Sequence, residues 1–397
     1  MLLPLLIGCN DRPTDIGTDL LLDTVRIAIL TSEDTTLFRT VETVQFPLAL
    51  FNTGYLYVGA SQSAIAWTLL RPTLFPPNVD SIAEDQIQSA HLILFPRRLA
   101  LGDTVSNLLR FSLAEIQQLW RPGTTVDTLR QFLQSGNFLG PTIAQFDQPI
   151  PLQDSTEPIR IPIPRSMIAR WLAIAADTTR KDSARIFGVA LIPDTIESTV
   201  IRSFYTQSPG HTELPLSYYE VVVQRADSLD TLRIENGYDL SVLFVRQLPP
   251  AHRLFVQGGI AQRLYIAFDP SPLPPLSIVH KATLVLPYDS TLFERTNYGE
   301  LPALTAYIAA DTALGAIGER FPLSNGEFRS DSGVVVFPNI GAAFELWRSK
   351  RPKSAIVITV GDEFGRIDRL AFYKPTDPQR QPYLELIYSA MPQEKRK

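Results

Sequence analysis

The sequence predicts an all-β protein built from two tandem β-sandwich domains with short helical turns. Prolines outnumber glycines, 32 to 21, and proline collects at strand ends, edges and stiff loops because it lacks a ladder donor. Short runs of Val, Ile, Leu, Phe and Tyr recur between turn residues, which is typical of strands. The same order of runs also occurs twice, and this indicates a tandem duplication.

The first part of the repeated pattern contains a strand ending near glycine, a second strand, a proline corner and a third strand. In the first copy these features lie at residues 56–59, 67–70, 74–77 and 87–94. In the second copy they lie at residues 254–258, 264–268, 273–275 and 278–286. Both third strands continue directly into a proline, at Pro96 and Pro287.

The second part contains a strand, a helical turn ending at a tryptophan, an apolar strand, an arginine with two aromatics, and a closing strand. In the first copy these features lie at 159–163, Trp171, 187–192, 202–205 and 216–223. In the second copy they lie at 334–338, Trp347, 355–360, 369–373 and 383–388. About ten short strands per copy, separated by turn signals, favour a β-sandwich for each.

Segments outside the shared pattern give further predictions. The spacing of Leu113, Ile116 and Trp120 predicts a helix at 112–119. Residues 136–158, rich in Gly, Pro, Gln and Asp, predict a long surface loop. Runs at 231–234 and 240–246 predict the first strands of the second domain, and by symmetry 24–30 and 44–50 would open the first.

The N-terminus has a pattern typical of a lipidated protein. A short apolar run at 2–7 precedes Gly8 and Cys9, the only cysteine, and a polar stretch follows. This pattern resembles the cleavage site of bacterial lipoproteins, in which the cysteine carries a diacylglycerol. The run is too short to span a bilayer. It therefore predicts a signal peptide ending at Cys9 and an outer-membrane-anchored protein of the cell envelope, with an ordinary buried cysteine as the alternative.

Composition excludes several classes of protein. The net charge is −5, and the only basic block is the tail at 395–397, so nucleic acid is not a predicted partner. A single cysteine rules out an intrachain disulfide framework. No second apolar stretch approaches the length of a membrane span, so a lipid on Cys9 would be the only anchor.

The repeated order resembles a known family. A strand ending Leu-x-Val-Gly, a Leu-Pro corner, an Ile-x-x-Ala-x-Leu-x-Leu strand, a short helix before a Trp and a closing strand are similar to the DNRLRE domain. That family is a jelly-roll module of secreted proteins, often counted among carbohydrate-binding modules. The resemblance covers about residues 50–223 and 250–389 and implies two jelly rolls that bind glycan. Cys9 followed by Ile-Gly-x-Asp-Leu at 16–20 also resembles an uncharacterised family of Bacteroidetes-type lipoproteins.

No catalytic or metal motif stands out. Four histidines, His91, His211, His252 and His280, are too scattered for a metal site. The candidates for a glycosidase pair are acids in predicted loops, namely Glu84 and Asp85, Asp147 and Asp154, Glu197, and Asp362 with Glu363. Asp362, Glu363 and Asp368 are also conceivable ligands of a structural Ca²⁺, although no EF-hand-like spacing supports them. No cofactor is predicted.

Binding of a glycan calls for exposed aromatics beside arginines. The available tyrosines are Tyr55, Tyr57, Tyr205, Tyr218, Tyr219, Tyr298, Tyr307 and Tyr373, and most lie in strand patterns that favour the core. Arg202 with Tyr205, and Arg369 with Tyr373, recur before the last loop of each copy. We therefore predict these four residues as the ligand site, the alternative being an arginine that pins the final strand.

These observations combine into one hypothesis. A signal peptide (1–9) and a linker (10–23) precede a first sandwich at 24–223, a second at 224–389 and a basic tail at 390–397. The protein would be non-catalytic, anchored to the membrane by its N-terminal lipid, and would bind a glycan or an envelope protein. An exposed face lined by aromatics and Arg would favour polysaccharide. A flat apolar patch or an unpaired edge strand would favour the alternative, a structural, assembly or adhesion protein.

Overall fold

A computed structural model describes most of the chain after the predicted linker. The described residues are 26–46, 48, 50–77, 79, 82–177, 186–206, 216–248, 250–310, 314–318, 321–348 and 355–390. The predicted lipidation site Cys9, the linker 10–23 and His211 lie outside them, and Trp347 is described only in its backbone.

Strands dominate the described residues, which confirms the all-β sandwich class. The chain begins with β1 (Arg26–Thr31) and β2 (Phe38–Gln45). Next come β3 (Leu50–Phe51), β4 (Tyr55–Ala60), β5 (Ala64–Leu74), β6 (Ile87–Gly102), β7 (Leu108–Ile116), β8 (Leu139–Pro149), β9 (Ile159–Pro162), β10 (Val189–Pro193), β11 (Val200–Tyr205), β12 (Tyr218–Arg225) and β13 (Ser228–Val245). The remaining strands are β14 (Arg253–Gln257), β15 (Gln262–Phe268), β16 (Ile278–Pro287), β17 (Leu304–Ile308), β18 (Ser324–Asn325), β19 (Glu327–Arg329), β20 (Val334–Phe337), β21 (Ala355–Val360), β22 (Arg369–Tyr373) and β23 (Tyr383–Ala390).

Helices are few. The described α-helices are α1 (Val126–Gln134), α2 (Arg165–Ala176) and α3 (Gly341–Arg348). The last two match the helical turns that the sequence predicts before Trp171 and Trp347. Within the described residues, no helix combines the length and the apolar character needed to cross a bilayer.

The first sandwich is one large sheet that folds over itself. Its order is β3-β13-β12-β6-β11-β4-β5-β10-β7-β8, with β9 beside β6. The long strands β6 and β13 run through both layers, because β6 pairs first with β12 and then with β11, and β13 pairs first with β12 and then with β5. Leu92, Trp171 and Phe204 lie fully or almost fully buried in the core between the layers.

The second sandwich has two separate sheets. One has the order β1-β23-β16-β20-β19, and the other has the order β18-β17-β21-β15-β14-β22, with β2 beside β15. Leu264, Leu284 and Phe372 contribute to the core between them. The strand order repeats that of the first sandwich, since β4 lies between β5 and β11 just as β14 lies between β15 and β22.

The strands that open each sequence copy are exchanged between the two sandwiches. The prediction that 24–30 and 44–50 open the first sandwich is wrong, because β1 pairs with β23 and β2 pairs with β15. The prediction that 231–246 opens the second is also wrong, because β13 pairs with β12 and β5. By strand pairing, the first sandwich therefore comprises 50–245, and the second comprises 26–45 with 253–390. The predicted boundary at 223/224 does not separate them.

A tight hairpin explains why β13 joins the first sandwich. Arg225 and Ser228 are paired across a two-residue turn in which Ala226 has a φ of 45°, a conformation suited to hairpins with right-handed twist. The chain therefore turns straight back onto β12. The ribbon of β1 and β2 occupies the corresponding place in the second sandwich, where it runs along β23 and then along β15.

Two smaller predictions also fail. Residues 112–119 are not helical, because Leu109, Phe111 and Leu113 alternate into the core and place β7 there. The helix of this region is α1, which is capped by the Thr125 side chain and covers the outer face of the sheet. Residues 136–158 are not simply a loop, since they contain β8, which pairs with β7.

Gly59 shows why the Leu-x-Val-Gly pattern ends in glycine. Its φ is +129°, and a Cβ at this position would lie 2.1 Å from the carbonyl oxygen of Val200 on β11. Only glycine allows this backbone conformation and this close approach. The residue thus brings β4 against β11, the strand that carries Arg202 and Tyr205.

Candidate functional site at the junction of the two sandwiches

The outer face of the first sandwich packs against loops at one end of the second. Tyr57, Leu101 and Ile201 from β4, β6 and β11 form a buried cluster with Ile260 and Ile367 of the second sandwich. The hydroxyl of Tyr57 donates to the carbonyl of Phe364 at 2.9 Å, and burial raises the pKa of Tyr57 above its ordinary value. The junction is thus an apolar core in which the Tyr57 hydroxyl is hydrogen-bonded.

Polar contacts fix the relative orientation of the sandwiches. The carboxylate of Glu294 accepts the backbone N–H groups of Gln62 and Ser63, at 3.1 and 2.9 Å. Asn297 accepts the N–H of Ala100 at 2.9 Å and donates to the carbonyl of Arg98 at 2.7 Å. Buried side-chain to backbone bonds of this kind specify a single geometry. A surface that spans the junction is therefore pre-organised.

Arg202, predicted as a ligand residue, is buried inside the first sandwich. Its exposed fraction is 0%. Its guanidinium donates five hydrogen bonds, whose acceptors are the carbonyls of Leu99, Arg97, Ile150 and Pro151 and the side chain of Asn107. Burial lowers the pKa of Arg202 to about 10. Arg202 thus links the β6 bend to the segment after β8 by hydrogen bonds. This is the structural role that the sequence left open as the alternative to ligand binding.

Tyr205 is at the surface. Its ring is half-buried, and its hydroxyl donates to Asp154 at 2.7 Å. Burial, together with the hydrogen bond to that carboxylate, raises the pKa of Tyr205 to about 12. Tyr205 therefore stays a neutral phenol and offers an aromatic surface.

Arg369 and Tyr373 do not form a site equivalent to Arg202 and Tyr205. In the strand register, Tyr373 is the Cα partner of Arg253 on β14, and Tyr205 is the Cα partner of Tyr55 on β4. The two tyrosines therefore occupy equivalent positions in the two sandwiches. The second copy has one more residue between its arginine and its tyrosine, and a shift of one residue moves a strand side chain to the opposite face. Arg369 accordingly lies in the junction near Phe255 and Glu294, and burial lowers its pKa.

Tyr373 has a different environment from Tyr205. The guanidinium carbon of Arg253 lies 4.0 Å from its ring centroid. Arg253 in turn pairs with Asp289 at 2.9 Å and with Asp377 at 3.3 Å. The structure therefore places the four predicted ligand residues in separate locations, and of the four we retain only Tyr205 for the candidate site.

Tyr205 lies in the middle of a set of half-buried aromatics that we call the aromatic row. It is the Cα partner of Tyr55 on β4 and of Phe95 on β6, so the three rings are on one face of the sheet. Phe95 lies 6.4 Å from Tyr218, centroid to centroid. The loop of the second sandwich adds Tyr298 near Tyr55, because Arg97 contacts both rings. The aromatic row crosses the junction.

Three arginines, which we call the arginine rim, surround one end of the row. The guanidinium carbon of Arg97 lies 3.9 Å from the Tyr55 centroid and 5.7 Å from that of Tyr298. Those of Arg98 and Arg366 lie 4.5 and 5.1 Å from the Tyr298 centroid. Such distances are within the range of cation–π attraction.

The rim arginines differ in their ion pairs. Arg366 pairs with the buried Asp368 at 2.7 Å. Within the described part of the chain, no carboxylate pairs with Arg97 or Arg98. Arg97 donates to the carbonyl of Gly365 at a long 3.4 Å. Two cations are thus held at the row without a neutralising anion.

A shallow groove lies on the first sandwich. Its volume is about 400 Å³, and its lining includes Pro96, Ser155, Glu157 and Arg160. Pro96 is the Cα partner of the core residue Phe204, so it lies on the opposite face of β6 from Phe95. The candidate site is therefore the aromatic row with its arginine rim.

Most acids considered for catalysis or calcium are engaged with protein donors, whereas Glu84 and Asp85 are exposed in a short 3-10 turn. Asp147 and Glu197 both pair with Arg110, at 2.7 Å each. Glu363 forms a buried pair with Arg263 at 2.6 Å, and Asp362 accepts the N–H of Gly365. Asp368 accepts from Thr296 and Arg366. Among the described residues, no group of three or more His, Cys, Asp or Glu is arranged to hold a metal ion.

The sequence contained part of this site. Tyr55, Tyr205, Tyr218 and Tyr298 were all among the available tyrosines, and the adjacent Arg97 and Arg98 after Pro96 are visible as a local basic pair. Phe95 was missed, because it lies within an apolar run that predicts core. The convergence of Tyr298 with Tyr55 depends on tertiary packing, for which a single sequence has no local signal.

Comparisons with known proteins add no assignment. No protein-family model matches the chain, and no curated protein matches it.

Proposed function

We propose that this protein is a non-catalytic lipoprotein of the cell envelope that binds surface or extracellular polysaccharide through its β-sandwiches. The observation that carries the proposal is the aromatic row, which presents five half-buried rings across the junction. The resemblance of the repeated sequence pattern to the DNRLRE domain motivates the same proposal. The binding surface we propose is one shared site at the junction.

The geometry of the row suits an extended sugar chain. Tyr55, Tyr205 and Phe95 are direct neighbours on three adjacent strands, and adjacent strands are about 4.8 Å apart. Tyr205 and Phe95, which no guanidinium covers among the described contacts, present two adjacent apolar surfaces to successive sugar rings. Tyr55 extends the row as a ring covered by Arg97. Aromatic side chains also lose little conformational entropy on binding. The row therefore offers a pre-organised platform.

The environment of the acids supports a binding role in preference to glycoside hydrolysis. A glycosidase needs one carboxyl group whose pKa is raised, so that it acts as general acid, opposite a second carboxylate. Asp147 and Glu197 both form ion pairs with the guanidinium of Arg110, so this cation occupies the space between the two carboxylates. This pair is therefore better suited to holding β7, β8 and the loop after β10 together.

The envelope location rests on the N-terminal pattern around Cys9. A lipid on this cysteine would tether the sandwiches to the outer membrane, on its periplasmic or its outer face. The test is mass spectrometry of the full chain extracted from membranes of a bacterial host. We expect diacylglycerol on Cys9 at the mature N-terminus, and an unmodified Cys9 behind an intact Met1 would contradict the proposal.

Polysaccharide binding is tested with the full chain carrying Cys9→Ser, which keeps it free of lipid. Affinity electrophoresis against neutral and acidic polysaccharides should retard the protein in at least one gel. Tyr205→Ala and Tyr298→Ala should weaken that retardation, because each removes a ring of the row. Tyr307→Ala, which changes a half-buried tyrosine of the second sandwich away from the row, is the matched control. Absence of retardation with every polysaccharide would refute the proposal.

A second function, self-assembly at the cell surface, is favoured by the edge strand β1. Among the described strands, β1 pairs only with β23, and Ile27 and Ile29 on its outer face are 74% and 61% exposed. The strand has neither a lysine nor a proline to protect its edge. A second copy of the same strand would fit it, because antiparallel pairing of identical strands is two-fold symmetric. Light scattering of wild type against Ile27→Lys should then show a dimer that the variant lacks.

A further inference from the structure

We propose that the ligand of the junction is an anionic polysaccharide, whose carboxylates are bound by Arg97 and Arg98. This inference rests on the proposed function and specifies its ligand class. It starts from a difference in ion pairing between these two arginines and four other arginines of the protein. Arg110, Arg253, Arg263 and Arg366 each pair with an acid within 3.3 Å, whereas Arg97 and Arg98 have no such partner in the described chain.

The donors of these two arginines are largely uncommitted. In the described part of the structure, the side chain of Arg97 makes one long hydrogen bond, to Gly365, and that of Arg98 contacts only the Tyr298 ring. A guanidinium has donors along its whole planar edge, in a fork that matches a carboxylate. Arg98 is exposed and Arg97 is half-buried, so both edges are open to a ligand that lies along the row.

The nearby carboxylate does not fill this role. Asp154 accepts the Tyr205 hydroxyl at 2.7 Å and the backbone N–H of Arg98 at 3.0 Å, both through Oδ1. Asp154 therefore orients the row and the β6 bend, and it forms no ion pair with either guanidinium.

The rings explain why an acidic sugar fits better than a neutral one at this end of the row. Arg97 lies directly over Tyr55, and three guanidiniums lie within 5.7 Å of the Tyr298 centroid. A sugar cannot stack on a ring face that a guanidinium already covers. A guanidinium stacked on a ring can still donate hydrogen bonds from its edge. At the other end, the guanidinium carbon of Arg233 lies 4.2 Å from the Tyr218 centroid. Phe95 and Tyr205, in the middle of the row, have no such cover among the described contacts, so they remain available to the sugar ring itself.

The test compares polygalacturonate with the same polymer after methyl esterification, which removes the charge and keeps the sugar backbone. Isothermal titration uses the full chain with Cys9→Ser. We expect the acidic polymer to bind at least about tenfold more tightly than the ester, and this difference should shrink as salt is raised. Arg98→Gln and the double variant with Arg97→Gln should abolish the preference.

Two controls separate recognition from general charge and from folding. Arg380→Gln removes an exposed arginine that contacts the Tyr373 ring, away from the junction, and should leave the preference intact. Arg97→Lys with Arg98→Lys keeps both charges and removes the planar forks, so the preference should fall without a loss of the folded state. The thermal unfolding midpoint of each variant identifies any that does not fold, and Arg98→Gln, at an exposed position, then decides.

The outcomes distinguish this inference from the proposed function. Equal binding of the acidic and esterified polymers, or an unchanged preference in Arg98→Gln, would overturn the anionic assignment while leaving polysaccharide binding in place. Binding of dextran sulfate with the same affinity as polygalacturonate would show ion exchange without carboxylate recognition, and would also overturn it. Failure to bind any polysaccharide would refute the proposed function itself.

Discussion

Leu384 donates its backbone N–H to the hydroxyl of Ser32, 352 residues earlier in the chain, at 3.0 Å. This bond lies at the turn where the N-terminal ribbon passes from β23 to β15. The first described strand therefore completes the sheet that contains the last one. The second sandwich closes only when the two ends of the described chain meet, whereas the first closes through the hairpin between β12 and β13.

A disulfide between Ile29→Cys and Ile387→Cys should join these ends. The two residues are Cα partners in an antiparallel pair, where Cα atoms lie about 4.5–5.5 Å apart, as a disulfide requires. Closing a loop of nearly the whole chain should stabilise the fold by up to about 5 kcal/mol in the chain-entropy model. With Cys9→Ser as background, the measurement is urea unfolding with and without reductant. Two thiols that stay free in the oxidised, folded protein would contradict the pairing.

The exchange of the opening strands between the two sandwiches also shows what the sequence could and could not predict. The strand at 355–360 coincides with β21, and the helical turns before Trp171 and Trp347 are found as α2 and α3, because local apolar runs and turn residues determine such elements. Which sandwich receives β1 depends on β23, more than 350 residues away, and no local pattern records this pairing. β13 is placed by its hairpin with β12, whose two-residue turn was not recognised in the sequence.

The candidate site was predictable only in part for a related reason. Arg202 and Arg369 looked equivalent because each precedes two aromatics, yet a one-residue difference places them on opposite faces of their strands. Tyr205, predicted as a ligand residue, is half-buried on the outer face of β11. Its partners in the row, Tyr55 and Phe95, come from strands that pair at long range, and Tyr298 comes from the other sandwich.

Replacing Arg202 should affect stability and leave binding unchanged. Arg202→Met removes the donor of several buried carbonyls, and each unsatisfied buried group costs about 1–3 kcal/mol. We expect a loss of at least about 3 kcal/mol in the free energy of unfolding, measured with urea. Arg202→Lys should lose less, and Arg121→Met, at an exposed position, is the control. A loss in Arg202→Met no larger than in Arg121→Met would show that the buried network contributes nothing.

Replacing Glu294 should uncouple the two sandwiches. Glu294→Ala leaves the N–H groups of Gln62 and Ser63 without an acceptor and removes the negative charge that faces the buried Arg369. Each buried N–H left without an acceptor costs about 1–3 kcal/mol. Calorimetry should therefore resolve two unfolding transitions where the wild type has one. Glu300→Ala, an exposed neighbour, should behave as wild type, and a single unshifted transition in Glu294→Ala would contradict this role.

Asp239 on β13 should make the stability of the first sandwich depend on pH. Its Oδ2 accepts from Thr206 at 2.8 Å, while its Oδ1 has no hydrogen-bond partner in the described structure. Burial raises the pKa of Asp239 to about 7, from 3.8 for an exposed aspartate. Between these values the folded state holds the proton more tightly than the unfolded state, so stability is greatest at low pH and falls as the pH rises through 7.

Asp239→Asn imitates the protonated form and should remove this dependence. The free energy of unfolding of the variant minus that of the wild type should increase by on the order of 2 kcal/mol as the pH rises from about 5.5 to 8.5, since one pKa unit corresponds to 1.36 kcal/mol. The quantity to measure is the difference in urea unfolding free energy between variant and wild type at each pH, because the titration of other groups cancels in it. Asp227→Asn, in the exposed hairpin, should give a flat difference. A flat difference for Asp239→Asn as well would mean that the buried carboxyl titrates as an ordinary aspartate.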